Sequence, residues 1–197
     1  MKDQTNEQRK LRQVRTAQTQ FQIREEKENE YIIEGYFAVF DDNYDMGWGM
    51  SESIARGAFD RTISGDIRAL INHDTTLVLA RTTAHTLELR TDEHGLWGRI
   101  IINPDDRAAM DLYARVKRGD VSQCSFGFSI VSEETEFRGD DEIHWTITEV
   151  ELYEVSCCTF PAYDSTGISA RHDEKEELLK RKNDAWKEKM HKRLKGA

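Results

Sequence analysis

A succession of short segments rich in β-branched and aromatic residues, each bounded by turn-forming residues, constrains this fold more than any other feature. One long segment covers residues 31–40, and a hairpin is predicted over residues 86–102 around the turn Asp92–Gly95. Two further strands are predicted near residues 122–132 and 143–159. Because helices do not alternate with these strands, the pattern predicts an α+β fold, either a barrel or a bent sheet, rather than a parallel βαβ sheet.

One segment of the body has a clear helical pattern. It begins at Pro104–Asp106, ends at Gly119, and carries its apolar residues at the helical period: Ala109, Leu112, Tyr113 and Val116. We therefore expect strands in the majority, with a few helices around them.

Charge divides the 197 residues into three parts. Residues 1–24 carry six Lys/Arg against two Asp/Glu, residues 171–197 carry ten against six, and the middle carries 12 against 29. We predict a flexible basic segment at 1–18, mobile or weakly helical, one domain at 19–170, and a basic helical tail at 171–197. An acidic body argues against nucleic acid as a partner and suits a basic polypeptide instead.

The tail shows an apolar stripe on an otherwise charged amphipathic helix: Leu179, Trp186, Met190 and Leu194. Two interpretations stay open. The helix either rests one face on the body and is otherwise solvated, or it docks on a partner or on a second copy of the chain, so a homo-oligomer is one possibility.

Three cysteines, Cys124, Cys157 and Cys158, do not make a disulfide framework and indicate reduced thiols. No apolar run approaches the roughly 18 residues that a membrane span needs, and the first residues lack the apolar stretch of a signal peptide. We expect a soluble intracellular protein with no membrane partner. The sequence has no His-Glu-x-x-His and no Cys-x-x-Cys, so we predict neither a metal nor a cofactor.

Ser125 is the candidate nucleophile. Strand alternation places Ser125 and Gly127 on a face of small residues, opposite the apolar face of Cys124, Phe126 and Phe128. A small-residue face could line a cleft that a substrate backbone approaches. Taken alone, a serine here fits an ordinary half-exposed strand better, since serine is common on exposed faces.

His73 is the candidate general base, because it directly follows the short apolar strand 67–71, which would hold it rigidly. Taken alone, it also fits a hydrogen-bonded structural histidine. The third group would be a carboxylate from residues 149–156. Alternation places Glu154 on the apolar face with Val150 and Leu152, where a carboxylate needs a partner such as a histidine. Glu151 is the fallback.

Several blocks, in order over residues 20–170, resemble the tailed-phage prohead protease family. They are Ile33-Glu34-Gly35-Tyr36, Gly57-Ala58-Phe59, Asn72-His73-Asp74, Arg118-Gly119-Asp120 with Ser125-Phe126-Gly127-Phe128, and Leu152-Tyr153-Glu154-Val155-Ser156 closing on Pro161-Ala162-Tyr163. The resemblance implies a fold similar to the herpesvirus assemblin protease, a mostly antiparallel β-barrel surrounded by helices. It also implies a Ser-His-acid site at Ser125, His73 and Glu154.

The same resemblance implies a serine endopeptidase that acts in the host cytoplasm, inside the viral procapsid. Its substrates would be the scaffold, or a scaffold-like extension of the major capsid protein, and the protease itself. Two alternatives stay open. Cys124 could be the nucleophile with His73 as its base, or the chain could be a non-enzymatic capsid-assembly or scaffold component that keeps the protease fold.

Overall fold

The structure is a computed structural model that describes residues 12–17, 21–25, 30–160 and 165–195. The described residues form eleven β-strands and two α-helices. The strands are β1 Gln13–Ala17, β2 Gln22–Glu25, β3 Tyr31–Val39, β4 Tyr44–Gly47, β5 Met50–Ile54, β6 Arg68–Ile71, β7 Asp74–Arg81, β8 Leu87–Thr91, β9 Gly95–Ile102, β10 Gln123–Phe137 and β11 Ile143–Cys158. The helices are α1 Arg107–Arg118 and α2 Ser165–Lys195, and a short 3₁₀ turn covers Thr82–Ala84.

Two sheets carry the architecture. The larger has seven strands, with the path β1-β10-β11-β5-β4 and a branch in which β6 pairs with both β11 and β7. The smaller has four strands in the order β2-β3-β9-β8. The α+β prediction is confirmed, and pairing is mostly antiparallel, although β5 and β6 run parallel to β11. The predicted barrel is not found among the described strands, because their two sheets do not close on each other.

The predicted hairpin and helix are both present. β8 and β9 pair in an antiparallel hairpin. Helix α1 is capped by the Asp106 side chain, which accepts from the N–H groups of Ala108 and Ala109, and it ends at Gly119 in a left-handed conformation. Its buried side chains are the four of the predicted stripe.

The long β10–β11 hairpin carries two of the three candidate site residues, Ser125 and Glu154. One face of it joins the main hydrophobic core through residues such as Phe126, Phe128 and Val155, and β3, β9 and α1 supply the other side of that core. The two halves of β11 have different parallel partners, β5 along Ile143–Ile147 and β6 along Glu154–Cys157. In the second half of β11, the face that points away from the core carries the polar side chains of Glu154 and Ser156.

The prediction of a mobile or weakly helical N-terminal segment is wrong for residues 13–17, which form β1 and pair antiparallel with β10. The pairing supplies the order, because the open edge of β10 offers unpaired backbone groups that the local sequence does not reveal. Residues 1–11 and 18 of that predicted segment lie outside the described residues, as does the Pro161-Ala162-Tyr163 block.

The predicted C-terminal helix is confirmed over residues 171–195, within the longer α2. Its first part rests on the body: Arg171 and Lys175 are buried there, and Leu178 and Leu179 pack against a second core around Met50 and Trp145. Further along, Trp186 and Leu194 are exposed. The interpretation of a helix that rests on the body holds for the first part, and the exposed end leaves the docking interpretation as a prediction.

Candidate active site

His73 occupies a tight turn between two strands. Asn72 and His73 form the two-residue connection from β6 to β7, and both have positive φ angles, 51° and 61°. Asparagine and histidine are among the residues that tolerate this left-handed region better than most. The backbone N–H of His73 donates to the Ser156 hydroxyl at 3.2 Å, which ties the turn to β11. The strand-supported position predicted for His73 is therefore present.

Glu154 faces the polar side of the hairpin, and a β-bulge puts it there. Glu154 pairs with Gly127, but Leu152 pairs with Phe128, so Tyr153 is an extra residue in β11. Directly paired residues share a face, and the successive residues Gly127 and Phe128 point to opposite faces of β10. Glu154 therefore lies opposite Leu152, whose side chain belongs to the core. The prediction that both share the apolar face is wrong, since simple alternation cannot register a bulge.

A partly buried hydrogen bond joins His73 and Glu154. His73 Nδ1 lies 2.7 Å from Glu154 Oε1, and the Ser156 hydroxyl donates to Glu154 Oε2 at 2.6 Å. The Glu154 side chain is only 3% exposed. Burial by itself would raise the pKa of Glu154, but the contacts with His73, Ser156 and Arg12 outweigh burial and lower that pKa. The carboxylate therefore stays ionised at neutral pH.

Gly127 makes room for this carboxylate. A Cβ atom on Gly127 would lie 2.2 Å from Glu154 Oε1 and 2.9 Å from Arg12 Nε, which is closer than real Cβ contacts. Only glycine at this position leaves the space that the Glu154 carboxylate occupies beside β10. The glycine of the Ser125-Phe126-Gly127-Phe128 block thus has a steric reason in the site itself.

Ser125 shares the face of Glu154 and Ser156, since its Cα pairs with that of Ser156. Its side chain is fully buried rather than half exposed, and β1 lies directly beside it along the edge of β10. The Ser125 hydroxyl donates to the carbonyl oxygen of Arg15 in β1 at 2.7 Å.

The structure brings two of the three predicted residues into contact, His73 and Glu154. Among the described residues no hydrogen bond joins Ser125 to His73. His73 Nε2, the ring nitrogen that faces away from Glu154, lies 3.5 Å from Cys158 Sγ. Ser125 is on the neighbouring strand, on the same face, with its hydroxyl engaged by β1.

Sequence reasoning missed three residues of the site: Ser156, Cys158 and Arg12. Ser156 and Cys158 follow Glu154 at intervals of two, so strand periodicity counted from Glu154 could have found them. Arg12 donates to the same Glu154 Oε1 that contacts His73, at 2.7 Å. No local signal points to Arg12, because its contact depends on β1 lying beside β10.

The alternative residues are placed elsewhere. Glu151 is exposed and pairs with Ser129, away from His73. Cys124 lies in the hydrophobic core on the opposite face of β10 from Ser125, which argues against it as the nucleophile. A further histidine that was not among the candidates, His144, is buried, with one ring nitrogen 2.8 Å from the Ser51 hydroxyl and the other 2.9 Å from that of Ser53, a structural arrangement.

Within the part of the chain that the structure describes, no cluster of His, Cys, Asp and Glu has the makings of a metal site. Over the same residues, no helix has the length and apolar character to cross a membrane.

The fold and the site define a class: a two-sheet α+β protein with a half-buried histidine, paired with a buried carboxylate, beside a serine on its central hairpin. Residues 19–181 match the family model described as caudovirus prohead serine protease. The chain is 32% identical over 143 residues to the prohead protease of Enterobacteria phage HK97, an alignment that covers 71% of this chain and 59% of that protein. This chain belongs to the caudovirus prohead serine protease family.

A solved structure shares the fold. The bacteriophage T4 capsid assembly protease, gp21, superimposes with a TM-score of 0.51 over 75% of this chain and 96% of that one. The sequence identity is 10%, so the similarity concerns the fold alone. The chain spans about three fifths of the length of the HK97 protease that it matches.

Proposed function

We propose that this chain is a serine endopeptidase of phage procapsid maturation, with Ser125 as nucleophile, His73 as general base and Glu154 as the residue that orients the base. One observation carries the proposal: the 2.7 Å contact between His73 Nδ1 and the buried Glu154 Oε1, on the same face as Ser125. Family membership and the ordered sequence blocks support it.

The geometry supports a separate role for each of Glu154, His73 and Ser125. An ionised Glu154 accepts the Nδ1–H of His73, which leaves the lone pair on Nε2 to take a proton. Once the Ser125 hydroxyl is released from the Arg15 carbonyl, Nε2 removes its proton and Ser125 Oγ attacks a peptide carbonyl. The same imidazolium then protonates the leaving amine, and a water molecule hydrolyses the acyl-enzyme. Ser156 holds both the His73 turn and the Glu154 carboxylate in place.

The proposed substrates are the scaffold or a scaffold-like extension of the major capsid protein, cleaved inside the procapsid in the host cytoplasm. The relatives support this, since one is named a prohead protease and the other a capsid assembly protease. The acidic body suits a basic polypeptide substrate. Self-cleavage belongs to the proposal as well, because a segment of the chain itself already lies against Ser125.

Co-expression with the capsid protein tests the proposal. We expect Ser125→Ala to abolish processing, because loss of a triad member costs about 10⁴- to 10⁶-fold in rate. Ser129→Ala, on the same strand, is the matched control and should process normally. Intact-mass measurement of the chain itself reads out self-cleavage in the same samples. Unchanged processing by Ser125→Ala would refute the mechanism.

One observation also favours a non-enzymatic capsid-assembly component: the described Ser125 is buried and forms no hydrogen bond with His73. A fluorophosphonate probe separates the two functions, because it reacts only with an activated serine. Labelling of the wild-type chain in procapsids, but not of Ser125→Ala, supports the protease. Absence of labelling in both, together with an unprocessed capsid protein, supports the assembly component.

A further inference from the structure

Strand β1 occupies the outer edge of β10, next to Ser125. Five residue pairs join the two strands in an antiparallel ladder, and β1 is the terminal strand of the larger sheet. An open sheet edge of this kind is a ready template for an extended peptide, because it presents a row of unpaired backbone groups. The chain fills that template with its own residues 13–17.

The register brings one peptide group of β1 to the candidate nucleophile. Thr16 pairs with Ser125, and the Arg15 carbonyl oxygen accepts the hydrogen bond from the Ser125 hydroxyl. A different peptide in the place of β1, with the same direction and register, would bring one of its own carbonyls to Ser125. The contact with β1 therefore defines where an extended ligand would lie.

The arginine side chain at this position enters a buried acidic site. Arg15 Nε and Nη2 donate to Glu52 Oε1 and Oε2 at 2.6 and 3.1 Å, a bidentate pair. Arg15 is 12% exposed and Glu52 only 2%, and the Arg15 guanidinium lies 5.7 Å from the centre of the Phe128 ring. A planar, charged and apolar-backed site of this kind is selective for arginine.

A second arginine, Arg12, which directly precedes β1, reaches the proposed catalytic carboxylate. Arg12 Nη2 and His73 Nδ1 both contact Glu154 Oε1 at 2.7 Å. The docked N-terminal segment therefore lies beside Ser125, engages its hydroxyl and contacts the carboxylate proposed to orient His73. The two arginines, three residues apart, point to opposite faces of the sheet, as strand periodicity requires.

We propose that the outer edge of β10 is a binding site for an extended basic peptide, with Glu52 selecting arginine at the position of Arg15, and that β1 fills this site from within the same chain. The proposal deepens the proposed function and rests on it only where Ser125 is taken as the nucleophile. A substrate peptide of the same kind must displace β1 before cleavage.

Binding in trans tests the site without requiring catalysis. Two forms of the full chain are compared, and both carry Ser125→Ala. In the first, β1 has its natural sequence. The second also carries Arg15→Glu, which places a carboxylate beside Glu52 and releases β1. The probe is a fluorescein-labelled synthetic peptide with the sequence of residues 11–18, and a matched peptide carries the Arg15→Glu change. Fluorescence anisotropy gives both affinities.

A tethered strand competes at an effective concentration of the order of millimolar, so the released chain should bind the arginine peptide about tenfold more tightly or better. The glutamate peptide should bind neither chain. Equal affinity of the two chains, no binding to the released chain, or equal binding of the two peptides would each overturn the proposal. Arg15→Ala serves as a second releasing variant, and circular dichroism confirms that both variants are folded.

The result is independent of the proposed chemistry. If the released chain binds the arginine peptide but a chain with Ser125 intact never cleaves any substrate, the peptide site stands and the protease mechanism fails. If processing of the capsid protein requires Ser125 but the peptide does not distinguish the two chains, the mechanism stands and the β10 site fails.

Discussion

Gly127 illustrates how much of this site depends on single atoms. The carboxylate of Glu154 occupies the space that a side chain at Gly127 would need, and the same carboxylate contacts His73. A methyl group there must push Glu154 away, because neither strand of the hairpin can move without disturbing the core behind it.

We expect Gly127→Ala to lower kcat of peptide cleavage by about 100-fold, since displacement of a catalytic group by about 1 Å costs that much. Gly139→Ala is the control, because a Cβ atom there meets its nearest neighbour at an ordinary 3.5 Å. Steady-state kinetics on a capsid-derived peptide measures both variants. Equal activity of the two would show that the position of Glu154 does not matter for the reaction.

Cys158 is the thiol nearest to His73, and its protonation state decides whether it can react. Burial raises the pKa of Cys158 to about 12, and the negative charge of Glu154 adds to the effect. A raised pKa keeps the thiol neutral at every physiological pH, so the folded chain should resist iodoacetamide at pH 8. Mass spectrometry should find all three cysteines alkylated only after unfolding in guanidinium. Rapid alkylation of folded Cys158 at pH 8 would instead support a Cys–His nucleophile.

At the scale of elements, two segments from the ends of the chain meet at Glu52. Arg15 of β1 and Arg171 of α2 both donate to its carboxylate. Burial alone would raise the pKa of Glu52, but these two guanidinium groups outweigh burial and lower it. Neither β1 nor α2 is fixed to the body by local sequence preference; both are held through this shared buried acid.

Arg171 anchors α2 more firmly than any exposed pair on that helix. It is 5% exposed, contacts Glu52, Glu133 and Glu174, and lies 4.7 Å from the centre of the Trp145 ring. Arg171→Ala should lower the free energy of unfolding by about 3–5 kcal/mol, because it removes a buried positive charge that compensates the Glu52 and Glu133 carboxylates.

The matched control for Arg171→Ala is Arg181→Ala on the same helix. Arg181 forms an exposed pair with Glu177 and should contribute only about 0.3–0.5 kcal/mol. Urea unfolding measures both variants. Similar losses would mean that the buried network contributes no more than a surface ion pair.

At the scale of the whole molecule, α2 divides into a packed part and a projecting part. Leu178 and Leu179 pack against the second core, and Lys182 still contacts the body through the Gly139 carbonyl. Beyond that point, the ion pairs of the described residues stay within the helix.

Removal of residues 184–197 should leave the melting temperature and peptide cleavage unchanged, since no side chain described over residues 184–194 is buried. Incorporation of the truncated chain into procapsids should fall, because Trp186 and Leu194 are exposed and free to dock. Quantitative gel analysis of purified procapsids measures this. Deletion of residues 172–197 is the contrast and should lower the melting temperature. Full incorporation after removal of 184–197 would rule out a docking role.

The sequence alone predicted the elements whose signals are local. Helix α1 was predicted from its opening residues Pro104–Asp106, its apolar stripe and its closing Gly119. The β8–β9 hairpin was predicted from alternating residues on either side of a turn. His73 was recognised because it directly follows a short apolar strand. Ser125 and Glu154 were selected together with it, and their catalytic roles stay a prediction.

Tertiary structure decided the features that depend on pairing between strands far apart in the sequence, namely the face of Glu154 and the formation of β1. The bulge at Tyr153 turned Glu154 from the expected apolar face to the face of His73, and no periodicity in the sequence marks an extra residue. Strand β1 formed because an open edge of β10 was available about 110 residues later in the chain. Local pattern thus determined which residues are placed on strands and turns. Which of them meet, and that Ser125 lies beside the chain's own N-terminal strand, was fixed only when the two sheets assembled.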